Sequence, residues 1–249
     1  MARVLLLAGT AEATALAERL HAAAFDVVSS LAGVTRQPRP RPGRVRVGGF
    51  GGVPGLVRYL RDEAIEFLID ATHPFAAQMP FNAARAAEAV GIGRCRVVRP
   101  PWVESAGDRW TTVRTVEDAP AAVRRLGAQR VLLTVGHQSA ASFASAHDLE
   151  LVTRSIEPPD GLTTTTTIVL DRGPFDVDAE IRLLTEHRIE ALVAKNSGGD
   201  ATSAKLTAAR VLGVPVVMVA RPPQPDGPVA ETVEEALSWL ADRLPLSRD

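Results

Sequence analysis

The stretch Val4-Leu5-Leu6-Leu7-Ala8-Gly9-Thr10-Ala11-Glu12-Ala13 decides how the chain is to be read. Its apolar run is short and lacks polar alternation, which describes a strand covered on both faces. Gly9-Thr10 ends that run. Leu16, Ala17 and Leu20 then recur at helical spacing, within a helix predicted over Glu12–Ala23. Strand, tight turn and helix open a parallel βαβ unit, and the alternation continues along the chain. Strands are predicted at Val27–Leu31, Val45–Val47, Phe67–Ile69 and Cys95–Arg99, with helices at Pro54–Asp62 and from about Ala76 to Val90. Pro100-Pro101 stops both helix and sheet and marks a linker. Beyond it, strands are predicted at Val131–Val135, Glu150–Thr153, Ile168–Leu170, Leu192–Ala194 and Val216–Val219. Helices are predicted at Val116–Leu126, Ser139–Ala146, Val177–His187, Ala201–Leu212 and Val233–Leu244. The expected fold is α/β. Two Rossmann-like domains, residues 1–100 and 101–249, carry mainly parallel sheets flanked by helices, with an active-site cleft between them. The run Thr163–Thr167 fits either a strand or a loop.

Composition removes several function classes. With 249 residues, 46% hydrophobic and 23% charged, the chain is near the size where one core gives way to two. A net charge of −1 and 4% aromatic residues give no basis for nucleic-acid binding. No apolar run is long enough for a transmembrane helix, and the residues after Met1-Ala2-Arg3 read as a strand rather than a secretion signal. The single cysteine, Cys95, excludes an internal disulfide and fits a cytoplasmic location. Of 28 basic residues only two are lysine, Lys195 and Lys205, and they flank Gly198-Gly199. In a chain that otherwise uses arginine, this placement points to a need for a compact ammonium.

Several segments sit where open α/β sheets bind ligands, after the carboxyl ends of strands. Ala8-Gly9-Thr10-Ala11-Glu12-Ala13 is either an ordinary βα turn or a phosphate turn in which Gly9 admits backbone to phosphate and Thr10 donates a hydroxyl. Strand two ends Val28-Ser29-Ser30-Leu31 without the acid that an NAD site uses for the ribose, and Arg36 follows. That pattern favours NADP. Asp70-Ala71-Thr72-His73-Pro74-Phe75 places His73 at a strand end, and no second ligand at metal spacing accompanies it, so no metal site is expected. Gly136, beside His137, permits close ligand approach in the second half, although a plain strand-to-helix turn also fits. Lys195-Asn196-Ser197-Gly198-Gly199, with Thr202 and Lys205, reads either as an anion cradle or as a surface helix capped by Asp200. It lacks the order of a Walker A loop.

In series, these blocks resemble the precorrin-6A reductase family of cobalamin biosynthesis. The blocks are Leu7-Ala8-Gly9-Thr10-Ala11-Glu12, Asp70-Ala71-Thr72-His73-Pro74-Phe75-Ala76, Arg99-Pro100-Pro101-Trp102, Leu133-Thr134-Val135-Gly136, Arg172-Gly173-Pro174-Phe175 and the Lys195–Lys205 segment. Ala8 and Ala13 depart from the family, whose members often carry glycine there. The resemblance implies NADPH-dependent reduction of one double bond of the macrocycle precorrin-6A to give precorrin-6B, with hand-over to other enzymes of that pathway. Gly9, Thr10, Ala11, Glu12, Ser30, Arg36, Thr72, His73 and Phe75 would then hold the cofactor, with His73 the first candidate for proton delivery. Gly136, Lys195, Asn196, Ser197, Gly198, Gly199, Thr202 and Lys205 would face the substrate carboxylates. A non-catalytic NADP-binding redox sensor is the competing reading, but it would need no second anion site. A nucleotide-dependent transferase is disfavoured by the missing acid after strand two.

Overall fold

The computed structural model describes residues 1–33, 41–156, 158, 166–171 and 173–244. The chain divides into two compact units. In the first, β1 (Arg3–Ala8), β2 (Asp26–Leu31), β3 (Arg44–Val47), β4 (Phe67–Ala71) and β5 (Gly93–Val97) alternate with α1 (Ala11–Ala22), α2 (Gly52–Asp62) and α3 (Met79–Val90). The second unit, Pro101–Pro222, holds β6 (Trp110–Val113), α4 (Ala119–Arg125), β7 (Arg130–Thr134), the single turn α5 (His137–Ala140), β8 (Glu150–Ser155) and β9 (Thr166–Leu170). It continues through α6 (Val177–Glu186), β10 (Ala191–Lys195), α7 (Ala204–Leu212) and β11 (Val216–Val219). The chain then returns to the first unit with β12 (Val229–Ala230) and α8 (Val233–Ala241).

Each unit is built on a six-stranded sheet whose pairings are all parallel. The orders are β12-β5-β4-β1-β2-β3 and β6-β11-β10-β7-β8-β9. Strand β1 shows why its sequence is a continuous apolar run. Val4, Leu6 and Ala8 pack with Leu16 and Leu20 of α1, while Leu5 and Leu7 pack with Leu56 and Leu60 of α2. Both faces are therefore covered, as a parallel sheet requires. In the second unit, Leu132, Leu192, Ala194 and Met218 pack with Leu184 of α6 and Leu206 and Ala209 of α7.

The domain boundary differs from expectation at its far end. Residues from 223 onward, predicted to lie in the second domain, complete the first. β12 pairs with β5 through Val229↔Arg96 and Ala230↔Val97, and Ala236 and Leu240 of α8 are buried in the layer of α1. A two-residue strand leaves no periodicity to read. β6 was also unpredicted, because Trp110-Thr111-Thr112-Val113 carries two polar residues in its middle. Of the Thr163–Thr167 run, Thr166 and Thr167 open β9, and the rest lies outside the described residues. Among the described residues no helix is long and apolar enough to cross a membrane.

Candidate active site

In both sheets the strand order reverses beside a central pair, β1 with β4 and β7 with β10. The loops leaving the carboxyl ends of such a pair diverge to opposite faces and open a crevice, the usual ligand position in this architecture. In the first unit those loops carry Gly9 and Thr72-His73. A Cβ on Gly9 would stand 3.2 Å from the His73 backbone nitrogen, so glycine is what lets the two loops approach so closely. Thr10 caps α1. Its Oγ1 accepts from the Ala13 N–H and donates to the Ala71 carbonyl, both at 3.2 Å. That hydroxyl donates within the chain, to Ala71, whereas a phosphate turn, one of the two readings of this segment, would have it donate to a phosphate.

Ala11 opens α1 on the surface, and Glu12 follows in the first turn. Arg99 Nη1 reaches both Glu12 oxygens, at 3.1 and 3.0 Å. Burial acts to raise the Glu12 pKa, but its own backbone N–H and Arg99 outweigh burial and leave it below the ordinary value. The pairing offsets a negative charge at a helix N-terminus that would otherwise repel an anion. Thr72 donates its N–H (3.1 Å) and its hydroxyl (2.6 Å) to Asp70 Oδ1. Asp70 is 2% exposed and faces Arg96 across the β4–β5 pair, Nε to Oδ2 at 3.7 Å. His73 Nδ1 accepts from the Phe75 N–H at 3.2 Å, which in the neutral ring places the proton on Nε2. The two rings are 5.9 Å apart between centroids.

At the end of β2, Ser30 is buried and accepts from Arg46 Nη1 at 3.1 Å. Arg36 lies outside the described residues. Arg46 escaped the sequence reading. The available signal was the alternation Arg44-Val45-Arg46-Val47, which places Arg46 opposite Ser30 once β3 pairs with β2.

The second unit repeats the arrangement with different chemistry. Gly136 follows β7 with φ 82° and ψ 158°, and Gly199 follows β10 with φ 78° and ψ 158°, a region open in practice only to glycine. Gly198 also has positive φ, at 68°. Lys195, at the end of β10, donates to Ser139 Oγ at 2.6 Å. Burial pushes its ammonium below the ordinary lysine pKa, partly opposed by the Glu117 charge. Asn196 is clamped to Trp102. Its Oδ1 accepts from the Trp102 N–H at 2.8 Å, and its Nδ2 donates to the Trp102 carbonyl at 3.0 Å. Trp102 Nε1 donates to the Gly199 carbonyl at 3.0 Å. Arg221 binds the carbonyls of Asn196 and Ser197 at 2.8 and 3.1 Å, and Ser197 is buried. Lys205 is 4% exposed, donates to the Thr202 carbonyl at 2.8 Å and lies 4.9 Å from the Trp102 ring centroid.

The loop of Lys195 is therefore held by its neighbours more than the sequence suggested. Asn196 and Lys205 pin it through Trp102, a residue that sequence reasoning quoted only as part of a block. Asp200 does not cap α7. It begins a 3-10 turn, Asp200–Thr202, and α7 starts after Ser203 without a side-chain cap.

Residues 3–241 match the family described as "Precorrin-6x reductase CbiJ/CobK". The chain belongs to this family. It is 46% identical over 245 residues to the precorrin-6A reductase of Rhodococcus erythropolis, covering 96% of this chain and 98% of the relative. It is 44% identical to that of Rhodobacter capsulatus, covering 97% of each. A solved structure titled "CobK precorrin-6A reductase" matches with a TM-score of 0.92 and 43% identity over 100% of this chain and 99% of the other. The cobalt-precorrin-6A reductase of Priestia megaterium is 27% identical, covering 96% and 98%. The match to the precorrin-6x reductase family thus spans the strands of both sheets.

Proposed function

We propose that the chain reduces one carbon–carbon double bond of precorrin-6A in cobalamin biosynthesis, with NADPH as hydride donor and precorrin-6B as product. The observation that carries this reading is 44–46% identity over 96–97% of the chain to proteins named precorrin-6A reductase. The residues present fit a dinucleotide. The Gly9 loop, closed against the His73 backbone, stands at the reversal of a 3-2-1-4-5 parallel order, and β2 closes on Ser29-Ser30-Leu31 with no acid at its end. Bound there, NADPH would supply the hydride, and the chain's task is to orient the reactants and bring a proton to the neighbouring carbon.

Residues divide by unit in this reading. Gly9, Ala11 and the backbone at the start of α1 receive the pyrophosphate, with Thr10 shaping that turn through its cap. Glu12, neutralised by Arg99, holds the helix end, and Thr72 and Phe75 set the floor beside His73. Ser30 lies at the ribose end, with Arg36 as a further cation. His73 is the proposed donor to the macrocycle, acting as the imidazolium that forms when Nδ1 gives up its bond from the Phe75 N–H and takes a proton, and returning to the neutral ring on transfer. In the second unit, Lys195 and the Ser197-Gly198-Gly199 backbone bind substrate carboxylates beside Gly136, while Asn196, Thr202 and Lys205 keep that loop in place. The metal-free macrocycle is the proposed substrate. Relatives named for it are 44–46% identical, against 27–28% for those named for the cobalt form.

The test mixes the protein with NADPH and either precorrin-6A or its cobalt form and follows nicotinamide absorbance. Oxidation with the metal-free substrate is expected. Absence of oxidation with both substrates would overturn the reading.

A further inference from the structure

Next to its last residue, strand β3 carries a cation that the reaction as described does not use. Arg46 stands opposite Ser30 in the β2–β3 register, and it is Ser30 that lies about twenty residues beyond Gly9, where a Rossmann unit meets the adenosine ribose. Its guanidinium lies over the Phe50 ring at 3.8 Å from the centroid, with Tyr59 at 5.2 Å. Nη1 donates to Ser30 Oγ (3.1 Å) and to the Gly48 carbonyl (2.8 Å), and Nη2 donates to the Gly49 carbonyl (3.0 Å). Those bonds account for three of the five N–H groups of an arginine. The Nε hydrogen and the second Nη2 hydrogen share the other edge of the fork, the edge that grips phosphate in a bidentate manner.

The charge of Arg46 is also uncompensated. Among the described residues no carboxylate pairs with it, whereas Arg44, two residues earlier, pairs with Asp26 and Glu63 at the other end of the strand. A fixed, half-buried guanidinium with one open edge and no acid beside it is built to receive an anion.

The geometry points to Arg46 as the residue that reads the phosphate on the adenosine ribose and so sets the preference for NADPH over NADH. This rests on the cofactor reading above. Phe50 and the two carbonyls hold the fork in place before the ligand arrives, which is what a planar cation needs for discrimination rather than mere attraction.

The test titrates the full-length wild type, Arg46→Gln and Arg46→Lys with 2′,5′-ADP and with 5′-AMP by calorimetry. Steady-state constants for NADPH and NADH are measured in parallel. Wild type is expected to bind 2′,5′-ADP the more tightly. Arg46→Gln should lose roughly 10- to 100-fold for 2′,5′-ADP and for NADPH, with little change for 5′-AMP and NADH. Arg46→Lys, which keeps the charge without the fork, should fall between. Equal losses for both nucleotides would mean that Arg46 only holds the Gly48-Gly49 turn, and would overturn the assignment. Discrimination that survives Arg46→Gln but is lost in Arg36→Gln would do the same. A wild type that binds neither nucleotide overturns the cofactor reading, and this assignment with it.

Discussion

Lys195 donates to Ser139 Oγ at 2.6 Å, and the two residues stand on either side of the point where the second sheet reverses its strand order. A half-buried ammonium whose pKa burial lowers is costly to the fold and well placed for an anion. Replacement by methionine should therefore leave the melting temperature at or above that of the wild type, while macrocycle affinity falls tenfold or more and NADPH affinity holds. The pH dependence has a definite sign. A lysine whose folded pKa is lowered costs stability in full below that pKa, and the cost fades as pH rises through it. The advantage of Lys195→Met, read from thermal melts between neutral and alkaline pH, should shrink at the alkaline end. Equal loss of both ligands would argue against a substrate role for this loop.

Asn196 makes a different prediction, because both faces of its amide are spent on the Trp102 backbone. Asn196→Ala leaves a part-buried N–H and carbonyl without partners, at a cost of about 1–3 kcal/mol in denaturant unfolding. Macrocycle affinity should fall along with stability, in contrast to Lys195→Met.

Arg154 of β8 and Glu180 of α6 form a pair at 2.6 Å with side chains only 7% and 1% exposed, and the guanidinium covers the Phe175 ring at 3.9 Å. Arg154→Met strands a buried carboxylate and should cost about 3–5 kcal/mol. The double change Arg154→Met with Glu180→Leu should recover much of that loss. Urea titration of the three proteins measures the coupling.

For His73, a role as proton donor predicts a split between chemistry and binding. His73→Asn should lower kcat by about 10²–10⁴-fold if the ring is the acid. NADPH binding followed by fluorescence should stay close to the wild type. A kcat within a few-fold of the wild type would move the proton donor elsewhere.

Cys95 should be silent. It is 1% exposed, and burial pushes its thiol up to about 11. A disulfide reagent near pH 8 should label it only in denaturant.

The fold was legible because parallel strands buried on both faces announce themselves as apolar runs, and β1, β4, β7 and β10 are such runs. Their loops were legible as well. Gly9, His73, Gly136 and Lys195 all fall at the two strand-order reversals, and each follows a strand end visible in the sequence. What stayed hidden depends on pairing rather than pattern. Arg46 matters only once β3 lies beside Ser30, and Trp102 matters only once Asn196, 94 residues away, closes on it. Thr10 looked like a free donor because its Ala71 acceptor is 61 residues distant. Lys205 looked exposed because its amphipathic position said nothing of Trp102.

The return of the chain to its first sheet has a consequence for synthesis. Pro101–Pro222 is continuous and holds all six strands of its own sheet, so it can close as soon as it leaves the ribosome. The first unit emerges earlier yet lacks β12 and α8 until the whole second unit has been made, and until then the edge of β5 and the floor beneath Leu16 and Leu20 stay open. The usual N-terminal-first order is reversed at the last step. A nascent chain stalled short of Val229 should carry a finished second half behind an unfinished first, open to chaperone and protease.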